Sequence, residues 1–370
     1  MKALRIADSL FRMLHQNQPY HSESNGILLL SCGGLGDTIL FSHVLERYCQ
    51  LAKSGETVTV LLRQDGAKTA FLFSSSVEKL VVDFNKLRTN LIYRWQVMKK
   101  INKSHYRLVI TTDYVRHPDL DEAIMLSANA QQTIAMKARS WTKYDQLLER
   151  NRQLFTRIFD SGPALQDKVV RWTAFANWLT GSSTPPPLVG PSDNLSPDTK
   201  PGTPLILIQP FSAVKAKQCL PAVYHKIIQS LSEETTFRIT GTLGDLENNP
   251  EFKSLNELPN VSFDNSTFVE LAELMKQASL VISVDTAAMH LAVSVGVQTL
   301  CLASAAYVGE ITPYAPEISP DHAHFLYQPM ECQGCLGDCS KPLQQGQFPC
   351  IAMLDEQTIV DKVKQLMVSS

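Results

Sequence analysis

Asn25-Gly26-Ile27-Leu28-Leu29-Leu30-Ser31-Cys32-Gly33-Gly34-Leu35-Gly36-Asp37 is the stretch that decides the fold, because a short apolar run breaks here into a glycine-rich turn closed by an acid. Ile27 to Leu30 form a continuous apolar run bounded by turn residues, which suits a strand covered on both faces. Gly33, Gly34 and Gly36 open backbone angles that other residues avoid and leave room for a ligand. After Thr38 the apolar positions Ile39, Phe41, Val44, Leu45 and Tyr48 approximate a helical stripe. Strand, glycine turn and helix in that order predict an open α/β sheet with a crevice at the carboxyl ends of its strands.

Two familiar glycine motifs are excluded. A dinucleotide fingerprint needs a third glycine where Ile39 stands, and a P-loop needs Gly-Lys-Ser/Thr where the chain has Gly36-Asp37-Thr38. An acid in place of the phosphate-binding lysine leaves two readings for Asp37, a helix cap or a reactive carboxylate facing the crevice.

At 370 residues the chain accommodates two domains of ordinary size, and its formal net charge of −2 gives no general attraction to nucleic acid. No apolar run approaches the roughly 20 residues that span a bilayer, and the opening residues lack a signal-peptide core, so the cytoplasm is the expected compartment. Residues 1–24 carry an amphipathic pattern (Leu4, Ile6, Leu10, Phe11, Leu14) and predict a short helix without assigned function. Thr57 to Leu62 and Val77 to Val82 read as strands. Leu87 to Lys103 reads as one helix with a basic face, either a solvated surface or a docking surface for an anionic acceptor. Tyr106 to Thr112 predicts another strand, ending in Asp113-Tyr114-Val115-Arg116 at the crevice. Asp113 and Arg116 are either a mutual ion pair or acceptor-side groups. Residues 119–180 read as mostly helical, with Trp172, Phe175 and Trp178 on an apolar stripe.

From Gly181 to Pro204 seven prolines among Gly, Ser and Thr exclude helix and central strand, which makes 181–204 an interdomain linker. The expected domains are therefore 1–180 and 205–370, two Rossmann-like units. In the second, Leu205 to Ile208 restarts the pattern as a buried strand and is followed by a basic turn with Lys215 and Lys217. Strand Leu280 to Val284 stops at Asp285-Thr286, and a helix begins at Ala287, so the amides of residues 286–288 point out of a helix N-terminus as an anion site. His290, one turn on, reads as a satisfied half-buried histidine rather than a catalytic one.

Gly33-Gly34-Leu35-Gly36-Asp37 together with Ser283-Val284-Asp285-Thr286-Ala287-Ala288-Met289-His290-Leu291-Ala292 resembles glycosyltransferase family 9, the heptosyltransferases of lipopolysaccharide core assembly and their relatives. The resemblance implies the GT-B fold, two Rossmann-like doubly wound domains facing each other across a cleft, and assigns acceptor binding to 1–180 and nucleotide-sugar binding to 205–370. It implies an inverting, metal-independent transfer of a sugar, typically from ADP-heptose, to a glycan, lipopolysaccharide or protein acceptor, with no cofactor for catalysis. By the same resemblance Asp37 is the general base. Asp285, Thr286, the Ala287 amide and His290 belong to the donor site, Lys217 (with Lys215 in reserve) meets the diphosphate, and Glu247 meets the nucleoside. The family often has Gly where Ala287 stands, and a Trp-Pro pair where this chain has Leu220-Pro221. It leaves open a peripheral contact with the inner membrane, a homo-oligomer, and a catalytically degenerate sugar-nucleotide-binding scaffold.

Cys332, Cys335, Cys339 and Cys350 are bunched within a turn-rich segment, 332–350, too poor in apolar residues to fold around a core of its own. Four thiols at this spacing predict a structural zinc or iron site, the alternatives being a reduced surface loop or a pair of local disulfides.

Overall fold

The computed structural model describes residues 2–15, 26–191, 195 and 202–368. The chain forms two compact units, Met1–Ala164 with Val169–Pro186, and Leu165–Lys168 with Pro187–Ser370. The division falls in the proline run, and residues 192–194 and 196–201 of the expected linker lie outside the described residues, as does part of the expected helical segment 1–24.

In the first unit the elements are α1 (Lys2–His15), β1 (Gly26–Ser31), α2 (Leu35–Ser42), α3 (Leu45–Cys49), β2 (Thr57–Arg63), β3 (Glu78–Val82), α4 (Phe84–Thr89), α5 (Leu91–Lys103), β4 (Leu108–Thr111), α6 (Asp121–Ser127), β5 (Gln132–Met136), α7 (Asp145–Arg152), β6 (Arg157–Phe159) and α8 (Lys168–Thr180). All strand pairs are parallel, in the order β3-β2-β1-β4-β5-β6. Every residue of β1 is buried, as a central strand covered by helices on both faces requires. The strand begins on a residue that must be glycine: Gly26 has φ +130°, and a Cβ there would lie 2.0 Å from the Thr57 carbonyl oxygen.

Two expectations are corrected in this unit. The helix expected over Leu87–Lys103 is two helices, because Asn90 adopts an extended backbone and its side chain accepts the Tyr93 amide at 3.0 Å, starting α5 afresh. Residues 119–180 are not mostly helical but contain β5 and β6. Burial between helix layers overrides the helical preference of Ala135 and Met136, both fully buried.

The second unit repeats the plan with β7 (Leu205–Gln209), α9 (Pro221–Gln229), β8 (Thr236–Thr240), α10 (Leu243–Asn248), β9 (Val261–Asp264), α11 (Phe268–Lys276), β10 (Leu280–Val284), α12 (Ala287–Val295), β11 (Thr299–Leu302), β12 (Ala323–Leu326), α13 (Pro349–Ala352) and α14 (Glu356–Val368). Its sheet runs β12-β11-β10-β7-β8-β9, again all parallel. In each sheet the strand order reverses beside the first strand, between β1 and β4 and between β7 and β10. Such switch points open the crevices in which α/β sheets bind ligands. Among the described residues no helix is long and apolar enough to cross a membrane.

Candidate active site

At the switch point of the first unit β1 delivers the glycine turn. Gly34 is the N-cap of α2, and the Asp37 carboxylate, three residues on, accepts the Gly34 amide at 3.0 Å. The helix begins at Leu35, so Gly33 and Gly34 form the turn while Gly36 lies inside the first helical turn. Asp37 folds back over Gly33 so closely that a Cβ on Gly33 would meet the Asp37 Cβ at 2.5 Å and its carboxylate oxygen at 2.7 Å. The glycine therefore fixes where the carboxylate stands. Beside it, at the end of β4, the buried Asp113 carboxylate accepts the Cys32 amide at 2.6 Å and props the turn from below.

Arg116 is committed elsewhere. Its Nε donates to Glu122 at 3.1 Å and its Nη1 to the carbonyls of Met136 (2.6 Å) and Asp113 (3.3 Å), all buried. Its ion pair is thus with Glu122 rather than with the Asp113 carboxylate. The guanidinium borders a recess of about 350 Å³ at the carboxyl ends of β4, β5 and β6, lined also by Tyr114, Lys137, Arg139 and Arg152.

At the switch point of the second unit the central feature is a buried ion pair. Lys217, at the end of the short turn Lys215–Lys217 that follows β7, donates through Nζ to Asp285 Oδ2 at 3.0 Å, with side chains 10% and 5% exposed. Lys215 is exposed and pairs with Glu251 at 3.0 Å. The two lysines of the turn are therefore separated by environment: one lies inside against the strand end, the other on the surface. The Lys217 ammonium also sits 4.6 Å from the centroid of the Tyr307 ring, a cation–π contact that holds the ammonium without consuming its charge.

Thr286 caps α12 by its backbone alone. Its side chain makes no cap hydrogen bond to the first-turn amides. Thr286 and Ala287 are half-buried and Ala288 is buried. His290, expected to be half-buried, is fully buried: its Nδ1 is 2.7 Å from the Tyr314 hydroxyl and the rings stack at 5.7 Å. Burial pushes the Tyr314 phenol well above its ordinary range, and its hydroxyl also reaches Met289 Sδ at 3.8 Å. Glu247 stands exposed on α10.

The loop from Met330 to Phe348 clamps the ion pair from two sides. The Gly334 amide donates to Ala305 O (2.9 Å) and the Leu336 amide to Ala306 O (2.7 Å), fixing the turn Ala305–Tyr307 that carries Tyr307. Gly337, at φ +87°, packs so tightly under that ring that a Cβ would lie 3.1 Å from the Tyr307 hydroxyl. At the other end the Phe348 amide donates to Ala216 O (2.8 Å) and the Gln347 side chain to Gln218 O (2.7 Å), fixing the turn that carries Lys217.

The cysteines of this loop do not form the expected metal centre. Among the described residues no three His, Cys, Asp or Glu side chains converge as ligands. Cys332, Cys335, Cys339 and Cys350 are all free thiols. Cys350 is built into the hydrophobic core. No such group supports a zinc or iron site here, and main-chain hydrogen bonds hold the loop.

The family model for glycosyltransferase family 9 (heptosyltransferase) matches residues 127–335, more than half of the chain. The chain belongs to glycosyltransferase family 9. Among solved structures this family 9 chain is similar to a family 9 glycosyl transferase from Veillonella parvula, 17% identical over 96% of this chain and 100% of that one, with a TM-score of 0.68. The Escherichia coli heptosyltransferase WaaC with ADP-2-deoxy-2-fluoro heptose is 14% identical over 92% of this chain and 99% of that one, at 0.64. The E. coli ADP-heptose lipopolysaccharide heptosyltransferase II is 12% identical over 93% and 99%, at 0.63. These likenesses show the fold, which is GT-B. No curated protein sequence matches this chain.

Tyr307 and Tyr314 were not among the residues singled out from sequence. Tyr307 stands 90 positions beyond the lysine it covers. Its one local signal is its place just past an apolar strand end, β11.

Proposed function

We propose that this family 9 glycosyltransferase moves a heptose from ADP-heptose to a glycan, lipopolysaccharide or protein acceptor, with inversion at the anomeric carbon. The observation that carries the reading is the buried Lys217–Asp285 pair at the mouth of α12. In it a lysine and a row of helix-end amides face the place where a diphosphate would leave. Asp37 is the base that takes the proton from the acceptor hydroxyl, and the acceptor oxygen attacks the anomeric carbon as the bond to ADP breaks. Negative charge then grows on the diphosphate, where Lys217, the Thr286 hydroxyl and the amides at Ala287 and Ala288 meet it. A cationic side chain and aligned dipoles thus carry the leaving-group charge in place of a divalent ion. Asp285 holds Lys217 in position, while Glu247 is assigned to the nucleoside and the recess beside Arg139 to the acceptor.

A panel of ADP, UDP, GDP and their sugars, read by thermal shift, tests the donor. A ligand at a hundred times its dissociation constant adds about 2.7 kcal/mol of stability, so ADP and ADP-heptose should raise the melting temperature and the uridine and guanosine compounds should not. A response to UDP-sugars alone would overturn the adenine assignment. An unchanged ADP response in Lys217→Ala would overturn the site.

A further inference from the structure

We propose that α1, with the basic α5 beside it, docks this protein on an anionic lipid surface. The roll of α1 is fixed by its inner face. Leu4, Asp8 and Phe11 are buried, and Asp8 accepts two bonds at 2.6 Å from the buried Arg94 guanidinium. Arg5 pairs with Asp119 at 2.6 Å, and Phe11 meets Trp95 of α5 edge-on at 5.0 Å. With that face spent, Ile6, Leu10, Met13 and Leu14 remain 63%, 51%, 69% and 65% exposed. They stand at i, i+4, i+7 and i+8, one unbroken stripe. Single exposed apolar residues need no explanation, but four large ones aligned on a helix of fourteen residues form a patch. On α5, Leu91 and Ile92 add to the exposed apolar surface at 48% and 73%.

Charge selects the occupant. Residues 84–103 hold six basic side chains and no acid in a chain whose net charge is −2; Arg94 is buried against Asp8 and Lys86 pairs with Asp83, which leaves Arg88, Lys99, Lys100 and Lys103 as the exposed basic groups outside those pairs. Lys99, Lys100 and Lys103 are exposed on α5, and the one acid of α1, Asp8, is buried against Arg94. A second copy of this chain, meeting the patch through a two-fold axis, would set one basic α5 against another. An anionic bilayer instead takes the stripe at the depth of its acyl boundary and the lysines among its headgroups, which is how a helix lies in a membrane interface without crossing it. The proposal is independent of the transfer reaction assigned above.

Vesicle flotation of the full chain tests it. The protein should float with vesicles containing about 30% phosphatidylglycerol in phosphatidylcholine and stay down with phosphatidylcholine alone, and about 0.5 M salt should release it. Leu10→Asp with Leu14→Asp should cut binding at least about tenfold, and Lys99→Glu with Lys103→Glu at least about threefold, with melting temperature and ADP response unchanged because all four side chains are exposed. Equal flotation with neutral vesicles, wild-type flotation by the Asp variant, or no flotation of the wild type at low salt would each overturn the proposal. So would a dimer that the Asp variant disperses while vesicles are ignored.

Discussion

The two sheets share one strand order, yet their switch points carry opposite chemistry. Between β1 and β4 the strand ends present carboxylates, Asp37 on the helix side accepting the Gly34 amide and Asp113 beneath the turn accepting the Cys32 amide. Between β7 and β10 they present an ammonium, Lys217, held by Asp285 and seated over the Tyr307 ring. Topology sets where a crevice opens, and a few residues past the strand ends set what the crevice can do. On the proposed reading one crevice takes a proton and the other holds an anion.

The sharpest way to break this contrast is at Asp37. Asp37→Asn keeps an acceptor for the Gly34 amide but removes the base, so turnover should fall on the order of 10²-fold or more while ADP affinity stays level. Parallel losses of turnover and ADP affinity would place Asp37 with the donor instead. Lys217→Ala comes next. It should weaken ADP binding and slow transfer together, roughly tenfold or more, and destabilise the chain by about 3 kcal/mol, because Asp285 is left charged and buried. Lys215→Ala should stay within about 0.5 kcal/mol of wild type in denaturant melts. If the second variant were the damaging one, the inner and outer lysines would exchange roles.

Tyr307→Leu removes the ring under the ammonium and should raise the ADP dissociation constant about fivefold, with Tyr307→Phe restoring it. Failure of Phe to restore would move the effect from the ring face to the hydroxyl. The smallest expected effect is one of pH. Burial pushes the Asp121 carboxyl up to about 6 against the bond from the His117 amide. A raised acid binds its proton more tightly in the folded state. Its contribution to stability is therefore present below about pH 4 and lost as pH rises through 6. Asp121→Asn should gain on wild type in melting temperature between pH 4 and pH 7, and a constant difference across that range would show that Asp121 titrates normally.

The contrast between the crevices was legible in sequence where a strand and its terminal acid are contiguous. Ile27 to Leu30 leads within ten residues to Asp37, and Leu280 to Val284 leads at once to Asp285. Both runs are fully buried, and burial is what makes a strand readable as an apolar run. Sequence failed where the deciding contact is long-range or lies in the main chain. Gln132 to Met136 is a strand because its neighbours cover it, not because Ala and Met prefer to extend. The thiol spacing at Cys332, Cys335 and Cys339 suggested convergence on an ion. The path there is set by left-handed backbone at Gly334, Leu336 and Gly337 and by amides tied to the turn at Ala305 and Ala306. Nothing in a linear pattern of cysteines encodes those partners.

That loop has an evolutionary consequence. Three of the four hydrogen bonds by which it grips the turns around Lys217 are made between backbone groups, at Gly334, Leu336 and Phe348. Backbone contacts survive mutation of the side chains that flank them. Cys332 and Cys335 can therefore drift through alanine or serine in descendant sequences while those bonds persist, whereas Cys339 packs against the hydrophobic core. The positions that selection should hold still are Gly334 and Gly337, where a side chain would strain the left-handed backbone and crowd Leu165 or Tyr307.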